Sequence, residues 1–229
     1  MVNKMIKDKD ISGFFSSNYG DDKYIKSFKE LSNGSAGFLV ESSDKGYDFD
    51  KISKEILGGD ILRSVDAIKI INKKIYFIEF KSGFFKKINK KSFDQSQWKC
   101  SKTETYCDEG LSYFLQYQKS TVKENKLSIF IKLLESYLTF EKIIIPNCKD
   151  SNCVFEVIYL SVIDAVKYLP NDAIESILND MCNISSDKNS IQSFQSSLNK
   201  YVIKDSNGNV LLYDKVKVLL KEEFDELFC

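Results

Sequence analysis

The chain has 229 residues, enough to bury a full apolar core without disulfide staples. Its 33 lysines and arginines balance its 33 acids, so net charge gives no general attraction to nucleic acid and any basic surface must be local. It contains no histidine, which excludes Ser-His-Asp and Cys-His catalysis and histidine metal sites, and leaves Asp, Glu, Lys and Tyr for acid–base or metal work.

The opening stretch MVNKMIKDKD carries charge where a signal peptide needs an apolar run. No apolar segment approaches the roughly 18 residues that span a bilayer, so a cytoplasmic protein without a membrane partner is expected. Asp21–Asn33 reads as a helix, with Asp21 or Asp22 as its cap and Tyr24, Phe28 and Leu31 at helical spacing. Residues 34–37 (GSAG) break it. Asp50–Leu57 reads as a second helix, capped by Asp50 and stopped at Gly58-Gly59. Ile61–Ile71 and Ile75–Lys81 read as the two strands of a hairpin turned near Asn72-Lys73. The second strand is apolar on both faces, as a central strand is. Leu127–Phe140 is amphipathic, with Leu127, Ile129, Phe130, Ile131, Leu133, Leu134 and Leu138 on a broad apolar face.

Val154–Val162 reads as another buried strand, and Asp164–Leu169 and Asp172–Met181 as helices. Tyr201–Tyr213 reads as a hairpin turned at Asn207-Gly208. Lys215–Phe228 reads as a last amphipathic helix, with Val216, Leu219, Leu220, Phe224 and Leu227 packing on the core or, secondarily, on a second copy. Helix, strands, helix, strand describes an α/β fold. One domain over 1–229 is expected, with a core over about 20–165 and a C-terminal hairpin and helix added over about 166–229.

The segment SVDAIKIINKKIYFIEFKSG, residues 64–83, concentrates the chemistry. If Asn72-Lys73 is the turn, Asp66 lies opposite Glu79; if the turn is Lys73-Lys74, Asp66 lies opposite Lys81. Directly opposed residues share a sheet face, and so do residues two apart on one strand. Either register therefore gathers Asp66, Glu79 and Lys81 on one face, and a slip of one residue would separate them. Two carboxylates in an apolar setting need a partner, and Mg²⁺ or Mn²⁺ is a natural one. Such an ion polarises a phosphoryl oxygen and activates water, while a neighbouring lysine positions that water or offsets developing charge.

Asp66 followed, a strand's length later, by Glu79-x-Lys81 at the end of a buried strand resembles the motif of the PD-(D/E)-x-K nuclease superfamily. Val65 stands where the motif has proline. The resemblance implies a restriction-endonuclease-like mixed central sheet flanked by helices. It implies that Asp66 and Glu79 ligate Mg²⁺ or Mn²⁺ and that Lys81 assists the attacking water. A further acid often comes from the first helix; Glu30 is the choice, with Glu41 and Glu55 as rivals. A polar residue on the helix after the Glu-x-Lys strand is also expected, from among Lys132, Glu135 and Ser136. A homodimer is a common arrangement by the same resemblance.

Lys81, Lys86, Lys87, Lys90, Lys91, Lys99 and Lys102 face only Asp94 in charge, with Phe84, Phe85, Phe93 and Trp98 interleaved. This local positive charge begins where the Glu-x-Lys strand ends, so Lys86, Lys87, Lys90 and Lys91 are candidates for phosphate contacts. Cys100, Cys107, Cys148 and Cys153 could make a four-thiolate zinc site, but their spacings are not the tight two-residue knuckle. Unpaired thiols are the simpler reading. The leading expectation is a metal-dependent nuclease acting on DNA. The alternative is an inactive module of the same fold that binds nucleic acid or a protein partner. A third, an interaction protein without nuclease ancestry, is favoured if Asp66 and Glu79 fall on opposite faces.

Overall fold

The computed structural model describes residues 10–34, 37–82, 126–148, 155–164 and 186–228. In chain order these form α1 (Ile11–Tyr19), β1 (Ile25–Ser27), α2 (Phe28–Leu31), β2 (Asn33–Gly34), β3 (Gly37–Phe38), β4 (Lys45–Asp48) and α3 (Phe49–Leu57). They continue with β5 (Ala67–Ile71), β6 (Lys74–Lys81), α4 (126–139), β7 (Glu156–Ile163), α5 (Ser186–Leu198), β8 (Lys215–Leu220) and α6 (Lys221–Leu227). Six strands make one mixed sheet in the order β1-β4-β5-β6-β7-β8. The pairs from β1 to β6 are antiparallel, and β6-β7 and β7-β8 are parallel. Parallel neighbours need a crossover. The chain between β6 and β7 includes α4, and that between β7 and β8 includes α5.

The β5–β6 hairpin forms in the first of the two registers, with Ile71 opposite Lys74 and Ala67 opposite Ile78. Asn72 and Lys73 both take positive φ, 50° and 58°, the backbone that a tight two-residue hairpin turn requires. On β6 the side chains alternate between two cores. Ile75 and Phe77 pack with Tyr159, Ile163, Val216, Ile129, Leu133 and Phe194 on one face. Ile78 and Phe80 pack with Ile158, Leu160, Val162, Phe28, Phe224 and Phe228 on the other. The sheet is thus a middle layer covered on both sides, and β6 is the central strand that its apolar sequence foretold.

Several elements differ from the sequence expectation. Asp21–Asn33 is not one helix: a turn leads into β1, whose Ile25–Ser27 pair with Tyr47–Lys45, and Ser27 then caps the short α2. Tyr24 and Phe28 are buried, but as flanks of a strand rather than along one helix. Asp48, not Asp50, caps α3, its Oδ1 accepting from the Lys51 N–H at 3.0 Å; Gly58 (φ 74°) ends that helix as expected. The strand expected from Ile61 begins only at Ala67, because α4 holds the preceding loop. On α4, Ile129 and Leu133 are buried while Leu127, Leu134 and Leu138 are exposed, so its buried stripe is narrower than expected.

The largest difference is Lys215–Phe228, which is strand β8 followed by helix α6 rather than one helix. Lys215-Val216-Lys217-Val218 alternates with the two-residue period of a half-buried strand. Asp214 starts it, accepting at Oδ2 from the Val157 N–H (2.7 Å) while its own N–H donates to the Val157 carbonyl (2.9 Å). Gln195 of α5 then covers the outer edge, donating to the Val216 carbonyl and accepting from the Val218 N–H. The Tyr201–Tyr213 hairpin is reduced to a single bridge, Lys204 to Val210, around Gly208. Asp164–Leu169 and Asp172–Met181 lie, apart from Asp164, outside the described residues. Among the described residues no helix is long and apolar enough to cross a membrane.

Candidate active site

Asp66 immediately precedes β5, and one further step of the hairpin register sets it opposite Glu79. There its side chain continues the ladder that the backbone has left. Asp66 Oδ2 accepts the Phe80 N–H at 2.7 Å. Its backbone carbonyl accepts from Phe49 N–H at the start of α3 (3.1 Å). Glu79, the sixth residue of β6, is 2% exposed. The Lys132 ammonium from α4 reaches both acids, 3.0 Å from Asp66 Oδ1 and 2.9 Å from Glu79 Oε2. The expectation of a shared face for the two carboxylates therefore holds, and the condition favouring the third reading is not met.

Helix α4 is fixed to the Asp66 segment by two more side chains. Ser136 Oγ accepts from the buried Val65 N–H at 2.8 Å, and Glu135 accepts from the Arg63 N–H. Lys132, Glu135 and Ser136, the three polar candidates on this helix, thus all contact residues 63–66 or Glu79. Only Lys132 touches the acids; Glu135 and Ser136 set the position of the loop that carries Asp66.

Burial and charge compete at the two acids. Burial pushes the Glu79 carboxyl well above the usual carboxylate range, and repulsion from Asp66 adds to it; Lys132 opposes both. Burial raises Asp66 as well, with Lys132 and the Phe80 N–H pulling the other way. For Lys132, burial works against the charge, but Glu79 and Asp66 outweigh it and hold the ammonium above its ordinary range. Two carboxyl groups converge on one ammonium, and burial opposes the charged form of both. Their hard oxygen atoms are donors of the kind that a divalent ion such as Mg²⁺ or Mn²⁺ takes. Asp66 and Glu79 are the residues that could hold it. Among the described residues no three His, Cys, Asp or Glu side chains gather as a metal site.

Lys81 ends β6, half-buried, two residues beyond Glu79 and therefore on the same face. It makes no hydrogen bond to either carboxylate among the described residues, but its charge favours ionised Glu79. Glu30 is elsewhere in role: its carboxylate accepts from the Ser27 N–H and hydroxyl as the capping box of α2, on the exposed surface. Of its rivals, Glu41 pairs with Lys29, and Glu55 with Lys23 and the Tyr24 hydroxyl. Lys86, Lys87, Lys90 and Lys91 lie outside the described residues, as do Cys100, Cys107 and Cys153. Cys148 is buried, its thiol donating to the Ile144 carbonyl at 3.3 Å.

Two residues near the acids, Asp50 and Ser161, are not among the site residues expected from the sequence, where Asp50 reads only as a helix cap. Asp50 adds negative charge near Asp66 while binding the Ser64 hydroxyl (2.9 Å) and Lys54 (2.7 Å). Ser161 on β7 is in register with Glu79, and its buried hydroxyl has no hydrogen-bond partner among the described residues. A serine inside the apolar run EVIYLSVI was the available signal for it. A groove of about 430 Å³ lined by Asp10, Ser12, Ile70, Ile71, Asn72, Lys73 and Phe155 lies at the turn end of the hairpin. That is roughly 20 Å along β6 from Glu79, at about 3.3 Å per residue. No protein-family model, curated protein or solved structure matches the chain.

Proposed function

We propose that the chain is a metal-dependent nuclease with a restriction-endonuclease-like core, hydrolysing phosphodiester bonds in DNA. The observation that carries this reading is the meeting of Asp66 Oδ1 and Glu79 Oε2 on one cation, with Lys81 on the same face. An antiparallel β4-β5-β6 unit followed by crossovers to parallel β7 and β8 supports the fold half of the proposal. Asp66 and Glu79 would hold Mg²⁺ or Mn²⁺. When bound, such an ion polarises the scissile phosphate and lowers the pKa of water. Lys81 would orient the attacking water and offset charge on the phosphate as the new P–O bond forms and the leaving oxygen departs. Burial of Glu79 keeps bulk water from competing for its oxygens.

The test is cleavage of plasmid and single-stranded DNA with and without a divalent ion, comparing wild type with Asp66→Asn and Lys81→Ala. Cleavage that needs the ion and is lost in both variants supports the reading. A second reading, a non-catalytic module binding nucleic acid or a protein partner, is favoured by one observation: Lys132 already satisfies both carboxylates. Calorimetry separates the two, because the module binds no divalent ion.

A further inference from the structure

We propose that Lys132 is a built-in counter-ion occupying the place of a divalent cation, so that cation binding at Asp66 and Glu79 requires the Lys132 ammonium to withdraw. The inference rests on the metal-dependent reading above and concerns how that site is regulated. Lys132 Nζ sits 3.0 Å from Asp66 Oδ1 and 2.9 Å from Glu79 Oε2. A hard cation takes carboxylate oxygens at about 2.0–2.6 Å. An ammonium on the same two oxygens would then stand within a few ångströms of a like charge in a poorly solvated site.

The surroundings let Lys132 leave without dismantling the site. Helix α4 is anchored independently, by buried Ile129 and Leu133 and by the Ser136 and Glu135 bonds to Val65 and Arg63. Withdrawal therefore needs only side-chain rotation. The Lys132 side chain is 24% exposed, against 2% for Glu79, so the lysine has an outlet to solvent that the carboxylate lacks. Asp66 keeps its place through the Phe80 N–H. Ser161, in register with Glu79 and with a hydroxyl unpartnered among the described residues, is the donor at hand for a Glu79 carboxylate that has lost its lysine. The released ammonium joins Lys81 as a second positive charge for a substrate phosphate.

The experiment is calorimetric titration of Mn²⁺ and Mg²⁺ into the full chain, for wild type, Lys132→Gln and Lys132→Arg, with melting temperatures measured in chelator and in each cation. Removing a unit charge within 4 Å of both ligands should tighten cation binding by at least about tenfold. Lys132→Gln should also gain more melting temperature from the cation than wild type, and Lys132→Arg, which keeps the charge, should stay close to wild type. Binding by Lys132→Gln no tighter than by wild type overturns the inference while leaving the metal-dependent reading intact. Absence of binding in both wild type and Lys132→Gln overturns the inference and the reading beneath it. If Lys132→Gln does not fold in chelator, Mn²⁺ should restore a cooperative melt, and its failure to do so also counts against the inference.

Discussion

Lys132 and Glu79 form an ion pair of 2.9 Å between helix α4 and the central strand β6, with the carboxylate 2% exposed. The pair ties one helix to the middle of the sheet at the point where two acids would otherwise repel. Removing one member leaves an uncompensated charge, whereas removing the whole set does not. In chelator, Lys132→Met should therefore lower unfolding free energy by about 3 kcal/mol, the low end for a broken buried pair because Lys132 keeps some solvent contact. The triple change Asp66→Asn, Glu79→Gln, Lys132→Met should recover most of that loss. Urea unfolding measures both, and a triple variant as unstable as the single one would refute the assignment.

Glu79 also sets a pH signature. Its carboxyl is raised by burial and by Asp66, so the folded chain holds a proton at pH values where the unfolded chain has released it. Stability then falls as pH rises from about 4.5, the ordinary glutamate value, through the raised folded value. Glu79→Gln cannot ionise and escapes that fall. In chelator, the stability of wild type minus that of Glu79→Gln should decrease steadily with rising pH across this window. A difference that grows with pH would mean that Lys132 holds the carboxylate ionised and its pKa low.

Ser136 tests how far the helix positions Asp66. Its hydroxyl is the partner of the buried Val65 N–H, one residue before the acid. Ser136→Ala leaves that N–H unpaired and should cost about 1–3 kcal/mol. If the nuclease reading holds, cleavage should drop more than divalent-ion affinity, since Glu79 is untouched.

Cys148 gives a check on the core beside α4. Burial pushes its thiol up to about 11, and Asp10 adds to the shift. At pH 8 it is a neutral, enclosed thiol and should resist alkylation by iodoacetamide in the native protein while reacting in urea. Peptide mapping of the modified cysteines reads this directly. Native labelling of Cys148 as fast as in urea would contradict its burial.

The residues at the hairpin were legible because two strands and a tight turn leave few registers, and parity alone places Asp66, Glu79 and Lys81 together. Lys132 was visible only as a polar residue on an apolar helix; that it bridges both acids depends on how α4 crosses the sheet, which no local pattern encodes. Glu30 read as a further acid and is a cap, because Ser27 three residues earlier supplies the other half of a capping box. The C-terminal segment misled because Val216, Leu220 and Phe224 are compatible with helical spacing. The Lys215–Val218 alternation was the better guide, and a docking site beside β7 makes the strand win. Ser161 carried a faint signal, a hydroxyl amid apolar neighbours, whose meaning appears only beside Glu79.

The most direct measurement is nicking of supercoiled plasmid by wild type, Asp66→Asn and Lys81→Ala, each in chelator, Mg²⁺ and Mn²⁺. Wild type should cleave only with a divalent ion, and each variant should lose at least about 100-fold, the scale on which positioned acid–base and electrostatic groups act. Cleavage by Lys81→Ala equal to wild type, or no ion-dependent cleavage by wild type at all, would contradict the nuclease reading.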